Sequence, residues 1–369
     1  MNSKQLLLAL TLAVLGAWMA LSHSSVQAGI VAAGPDYKVL APIRHGNLTV
    51  FPVVAATSHD TREFLTLDEG LRSGEVVVTE SGNVSPLVRP RHPRPHPVWD
   101  ERRPHDGAQV NSLVLVNNAK RPLILLAGEI VTGGKQDRVI GKDRLVPAES
   151  DPIDLGVFCV EPHRWTETST NFKAFGGAMV QPTVRAKAMA DKDQAKVWSE
   201  VRKAQTSVAA EVSAPAAAEV NETSSYARVM QNDEVKQRVD SVAAPIQRDY
   251  QSLIQQLRDR NAVGVVVAVN GEIIWADVFA STGLLEKYWP KLVRSYATEA
   301  IVAQAKGHNV DSAAAQAFLD HFDGRKEVVE TEPGLYRHTE ISGEGFKAFE
   351  LTSLLPKTGF NLHLAKMAE

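Results

Sequence analysis

The chain has 369 residues, with 40 lysines and arginines against 43 aspartates and glutamates, for a formal net charge of −3. So near-neutral a balance excludes a general electrostatic pull toward nucleic acid or an anionic membrane surface. The single cysteine, Cys159, excludes an intramolecular disulfide, so stability must come from the hydrophobic core, and the chain is long enough for two packed units.

Lys4 is the only charge in the first 28 residues, and an apolar run from Leu6 to about Leu21 follows it. The polar stretch "SHSSVQAG" then places Val26 and Ala28 where a signal peptidase reads small side chains. This is the layout of a secretory signal over residues 1–28, with export to the periplasm or the medium as the expectation. Exported protein is expected to begin at Gly29, and an intact mass that retains residues 1–28 would turn the segment into an anchor. No later apolar run approaches the length of a membrane span, so none is expected after cleavage.

From Tyr37 to Glu161 the chain reads as short strands: "NLTVFPVV", "EVVVTE", "NSLVLVNN", "PLILLAGEIV", "QDRVIGKDRLV" and "DLGVFCV". They lack intervening helices, which argues for antiparallel pairing in a sandwich or barrel-like unit. One helix interrupts them at "TLDEGLRSG", with Thr66 as cap and Gly70 or Gly74 as stop. Between Arg89 and Gly107 the proline-rich "RPRHPRPHPVWDERRPHDG" reads as a solvated loop. Its His92, His96 and His105 lack the fixed spacing of a metal site.

A helix is expected from about Lys192, with Val197, Val201 and Ala204 on one face. The low-complexity stretch "TSVAAEVSAPAAAEVNETSS" then reads as a flexible linker, followed by a helix from Asp233 to Asn261 broken or kinked at Pro245. "GVVVAVNGEIIWADVFAS" is a hairpin around Asn270-Gly271, the pair that favours a tight two-residue turn. Leu284 to Ala305 is helical, with a fresh start at Pro290, and three strand candidates end the chain. The expected class is α+β. A β-rich unit spans residues 29–190, a helical segment with the linker spans 191–262, and an α+β unit spans 263–369.

Charge crowds the stretch "LLAGEIVTGGKQDRVIGKDRLVP", residues 125 to 147. With Gly133-Gly134 as a two-residue turn, Glu129 lies opposite Arg138 on a face otherwise fit for a core. Such charges must pair with each other or with a ligand. A second cluster, "CVEPHRW", sets Glu161, His163, Arg164 and Trp165 at the end of another strand. If the clusters converge, the arginines suit an anionic group and the tryptophan suits a ring. The chain lacks H-E-x-x-H, C-x-x-C, G-x-S-x-G and a G-K-[ST] loop, which argues against standard hydrolases and nucleotide-hydrolysing enzymes.

The segments "LLLAGEIVTGGKQDRVI", "VPAES", "FCVEPHRW", "VWSEV", "GVVVAVNG" and "WPKLVRSYATEA" resemble the successive signatures of the ARG and rhodanese-phosphatase superfamily associated protein family, collinear from Val50 to Ala300. The proline-rich loop is an apparent insertion relative to it. The resemblance implies no established activity. By association with neighbours such as ADP-ribosylglycohydrolases, it implies a role near ADP-ribose or another nucleotide-derived anion. The family's polar signature falls here on Glu129, Lys135, Gln136, Arg138, Glu161, Arg164 and Trp165.

Three functions stay open at this point. One is a binding module for a small anionic ligand, with Lys135, Gln136, Arg138 and Arg164 as contacts and Trp165 stacking. Another is an enzyme with Glu129 or Glu161 as general base. The third is a structural or interaction protein with no small-molecule site.

Overall fold

A computed structural model describes residues 37–81, 111–257, 260–303 and 309–369. The expected signal segment and the loop from Arg89 to Gly107 lie outside the described residues. The chain enters through β1 (Lys38–Val39), β2 (Ile43–His45) and β3 (Leu48–Ala55), and β3 is buried along its whole length. After β4 (Leu65–Thr66) comes α1 (Leu67–Ser73). Thr66 caps it in a reciprocal box with Glu69, and Gly74 ends it at φ 72°. Both signals were legible in "TLDEGLRSG" because a cap acts through backbone groups three residues away.

Eight strands follow before the main helical region: β5 (Val76–Thr79), β6 (Ser112–Asn117), β7 (Leu123–Leu125), β8 (Glu129–Thr132), β9 (Arg138–Ile140), β10 (Arg144–Val146), β11 (Ile153–Cys159) and β12 (Lys173–Met179). Six of them form an antiparallel sheet in the order β12-β8-β9-β11-β6-β5. Its two edges meet again: Thr79 bridges Asn171, and the Phe172 amide donates to the Val78 carbonyl at 2.8 Å. The result is a nearly closed barrel, as the antiparallel reading anticipated. Its interior holds Val78, Leu113, Leu115, Val131, Ile140, Leu155, Val157 and Phe172 in one apolar cluster. A small three-stranded sheet, β10-β7-β4, adjoins it.

The helical region comprises α2 (Pro182–Ala186), a π turn (Lys187–Asp191), α3 (Gln194–Ala210), α4 (Ala214–Glu222), α5 (Tyr226–Gln231) and α6 (Asp233–Gln256). Two expectations need correction here. The low-complexity stretch is helical, not a flexible linker: α3 runs through its start, and α4 buries Ala216 and Val220. Alanine is the strongest helix former, so repetition of alanine is as compatible with a helix as with a linker. The Gln205 side chain ties the two helices by donating to the carbonyls of Val220 and Thr223. Of the two alternatives at Pro245, an interruption is excluded, because α6 is continuous through it and buries Val235, Val239, Ala243, Ile246 and Tyr250 along one stripe.

The last part contains β13 (Asn261–Val269), β14 (Glu272–Phe279), α7 (Thr282–Val302), α8 (Ser312–Asp320), β15 (Gly324–Glu332), β16 (Tyr336–Gly343), β17 (Phe346–Ser353) and β18 (Asn361–Ala368). The Asn270-Gly271 turn has both residues at positive φ, 56° and 79°, and pairs Val269 with Glu272. That is the tight turn its sequence specifies. Pro290 sits inside a continuous α7 and starts no new helix. One strand, "NLHLAKMA", was not anticipated, and it lies in the middle of the large sheet.

That sheet runs β1-β3-β13-β14-β18-β17-β16-β15, with β2 on β3. It joins residues 38–55 to residues 261–368, so the first strands of the chain complete the sheet of the last. One face carries Val50, Val265, Val267 and Phe279 against the α7 side chains Leu285, Tyr288 and Leu292. The other carries Phe51, Val53, Val266 and Val278 against Ala315 and Leu319 of α8. On its far side α7 holds the barrel region, because Tyr288 donates to the Ile124 carbonyl and Ser295 to the Val180 carbonyl. This helix is the spine between barrel and sheet.

Candidate functional site

The Gly-Gly loop does not form the two-residue turn expected for it. Val131 pairs with Arg138 and Ile130 with Val139, a register two residues away from the expected one. Glu129 therefore does not face Arg138. Residues 133–137 form a wider loop closed by side chains: Asp137 accepts from the Gly133 amide at 3.1 Å and Glu80 from the Lys135 amide at 2.9 Å. A side chain at Gly134 would have its Cβ 2.2 Å from the Phe172 ring, and φ there is 49°. The doublet is thus kept for close approach and loop shape. A slip of two residues keeps the parity of the paired strands, so Arg138 stays on one face with Val131 and Ile140.

The second polar cluster folds onto this loop. Glu161 accepts from the Asp137 amide at 3.0 Å and from the Arg164 guanidinium at 2.5 Å, while Gln136 donates to the Glu161 carbonyl. Arg164 also donates to the carbonyls of Gly134 and Thr166, at 3.0 and 2.7 Å. Ser225 donates to the second Asp137 oxygen at 2.8 Å. Burial, reinforced by the nearby Glu161 charge, lifts the Asp137 carboxyl above its ordinary range. At the rim, the Lys135 ammonium lies 5.3 Å from the centre of the Trp165 ring, and Trp165 is 45% exposed. The structure therefore brings together Lys135, Gln136, Glu161, Arg164 and Trp165.

Glu129 belongs elsewhere. Its carboxylate meets the Lys291 ammonium of α7 at 2.7 Å and accepts from the Leu126 amide at 2.8 Å, and Lys291 also reaches Asp68 at 2.6 Å. Burial lifts Glu129 above the ordinary glutamate value despite Lys291. Burial also opposes the charge on Lys291, but Glu129 and Asp68 outweigh it and hold the ammonium above the usual lysine range.

Arg138 is the anomaly. It pairs across the ladder with Val131 and Cys159, and so points with Val131 into the barrel interior. Its exposure is 0%, and among the described residues none of its three guanidinium nitrogens has a hydrogen-bond partner. Burial pulls its pKa below the ordinary arginine value, while Cys159, Glu80 and Asp137 nearby work the other way. Glu80, itself 2% exposed, keeps Oε2 without a partner, as Gln136 does Oε1.

Residues 36–365 match the model of the ARG and Rhodanese-Phosphatase-superfamily-associated Protein domain. The chain belongs to that family. No curated protein and no solved structure matches it. The family domain covers the barrel, the α7 spine and nearly all of the large sheet, and it brings no established activity.

This family member has another polar cluster that the sequence did not disclose. Where α7, the sheet and the loop before β10 meet, His363 lies between two carboxylates, Asp143 on Nδ1 at 2.5 Å and Asp277 on Nε2 at 3.0 Å. Arg185 of α2 binds Asp277 at 2.9 Å and lies 4.8 Å from the Trp275 ring, and the Tyr296 hydroxyl donates to the same carboxylate. All of these groups are buried. Both imidazole nitrogens face carboxylates, so both carry protons, and the quartet of Asp143, His363, Asp277 and Arg185 is then neutral. Its only trace in the sequence is a histidine at an inward position of "NLHLAKMA". Without a reading of that segment as a strand, the trace could not be used. Among the described residues no cluster of His, Cys, Asp and Glu is arranged to hold a metal ion, and no helix is long and apolar enough to cross a membrane.

Proposed function

We propose that this protein acts after export as a binding module for a small anionic ligand, with Arg138 as the anion contact inside the loop end of the barrel. The observation that carries the reading is the guanidinium of Arg138, fully buried and without a hydrogen-bond partner among the described residues. An unpaired buried ion is among the most unfavourable features a core can hold. A phosphate or carboxylate oxygen pair matches its fork and would relieve the cost. Arg164, by contrast, is committed to Glu161 and to loop carbonyls, and so shapes the loop instead of contacting the ligand. Lys135 and the exposed Trp165 ring stand at the rim, where a ligand with a flat ring could stack. An ADP-ribose-like molecule has both features, an anionic group and a ring, and is the first candidate.

The test is a thermal-shift series on the mature chain with inorganic phosphate, sugar phosphates and ADP-ribose. A ligand at a hundred times its dissociation constant should stabilise by about 2.7 kcal/mol. Arg138→Met removes no existing hydrogen bond, so the unliganded variant is expected to be as stable as the parent or more so, with the ligand shift abolished. Lys135→Ala should leave unliganded stability unchanged. A loss of about 3 to 5 kcal/mol on Arg138→Met would show a direct protein ion pair, such as one with Glu80, and would sink the reading.

A further inference from the structure

A cavity lies between the β9–β10 turn, the π turn and the hairpin strands β15 to β17. It encloses about 210 Å³. An apolar cavity of about 150 Å³ is enough for benzene, so this one admits a compact metabolite and little more. Its charged wall consists of two ammoniums and two carboxylates in alternation. Lys192 meets Glu340 at 2.6 Å, and Lys142 meets Glu330. These four side chains are between 24% and 53% exposed, so the two bridges sit at the mouth. Exposed pairs of this kind contribute only about 0 to 1 kcal/mol, and a ligand can replace them at little cost.

The apolar part of the lining includes Met189 and Phe349, both 2% exposed. His338 also lines the cavity, is 1% exposed, and has no hydrogen-bond partner at Nδ1 among the described residues. Burial lowers its pKa, although Asp143 and Glu340, the latter 4.0 Å from Nε2, work the other way, and Nδ1 offers a donor or an acceptor to a ligand. Met189 belongs to the π turn, and Lys192 directly after it has a φ of 52°. Such single π turns recur where a helix is distorted to serve a site. A ligand with one charge would pair with one half of each bridge and leave the other half to water. A zwitterion satisfies both.

We infer that this cavity binds a free α-amino acid with an apolar side chain. Its carboxylate would exchange with the glutamates for Lys142 and Lys192, its ammonium would take Glu330 and Glu340, and its side chain would lie on Met189 and Phe349. The inference does not depend on the Arg138 site.

The test is isothermal titration of the full mature chain with leucine, methionine and valine. N-acetyl-leucine and leucine amide, each lacking one of the two charges, serve as comparisons. Saturable binding of at least one amino acid is expected, with each blocked form weaker by about tenfold or more. Lys192→Ala, at a half-exposed position, is expected to weaken the amino acid by a similar factor without changing the unfolding midpoint of the free protein. Absence of saturable binding across the panel up to about 10 mM would overturn the inference, since affinity weaker than that is under about 3 kcal/mol. Equal binding of leucine and its two blocked forms would overturn it as well.

Discussion

Asp277→Asn is expected to lower the stability of the protein by about 3 to 5 kcal/mol near pH 6, the cost of leaving buried charge uncompensated. The substitution keeps the shape of the side chain, so no cavity confuses the result. It leaves Arg185 and a protonated His363 with Asp143 alone among the four charges that meet there. The pH dependence is the sharper readout. Burial opposes protonation of His363, but Asp143 and then Asp277 outweigh it and hold the native ring above the ordinary histidine value. Its contribution to stability is therefore complete below about pH 6.5, the unfolded value, and is lost as pH rises through the native one. Burial likewise opposes ionisation of Asp143 and Asp277, but His363 for the first and Arg185 for the second hold both below the ordinary range. Their contribution is complete above about pH 4 and is lost as pH falls through the native values. The network should stabilise most between about pH 4 and 6.5. Denaturant midpoints at pH 5.5, 7 and 8.5 check this. In the variant the alkaline decline should begin at lower pH, and a variant equal to the parent at pH 5.5 would sink the account.

Lys291→Met should cost a similar about 3 to 5 kcal/mol at neutral pH, because it strands the Glu129 carboxylate at 2% exposure. Asp68, at 22% side-chain exposure, can turn to water, whereas Glu129 cannot. Combining Lys291→Met with Glu129→Leu should recover most of the loss, since the double variant leaves no unpaired buried charge. The single variant also has a pH signature. Glu129 already titrates above its ordinary value, and loss of Lys291 pushes it higher. A carboxyl raised in the native state is tolerated while it is protonated, below about pH 4.3, and penalises the fold as pH rises through its native value. The gap between Lys291→Met and the parent should therefore narrow on acidification. A gap that is constant with pH, or a double variant no better than the single one, would show that packing and not charge is at stake.

Local signals were legible. Thr66 with Glu69 and Gly74, and Asn270 with Gly271, specify their structures through backbone groups a few residues away, and the structure has both. The helical spacing of Leu285, Trp289, Leu292, Tyr296 and Ala300 is visible in the sequence as well, through the 3.6-residue period of apolar side chains, and all five are buried. Pro245 and Pro290 misled because a proline inside a helix costs about 3 kcal/mol. Packing outweighs that cost: Ile246 and Tyr250 beyond the first, and Leu292 and Tyr296 beyond the second, are fully buried. The Gly-Gly register misled because Asp137 and Glu80 bond the loop amides, and a turn rule built on two central residues has no place for them.

The sequence by itself determined the α+β class, the antiparallel character of most strands before Glu161, and the presence of charged side chains at inward positions near residues 129 and 138. Only the tertiary structure decided which charge meets which. Glu129 takes Lys291, far along the chain, and Arg164 takes Glu161. His363 links Asp143 to Asp277, and Arg138 is left alone in the barrel. The reason is physical. Capping and turn formation act through a few bonds, so spacing encodes them, whereas Coulomb pairing in a core acts through space and depends on which elements pack together.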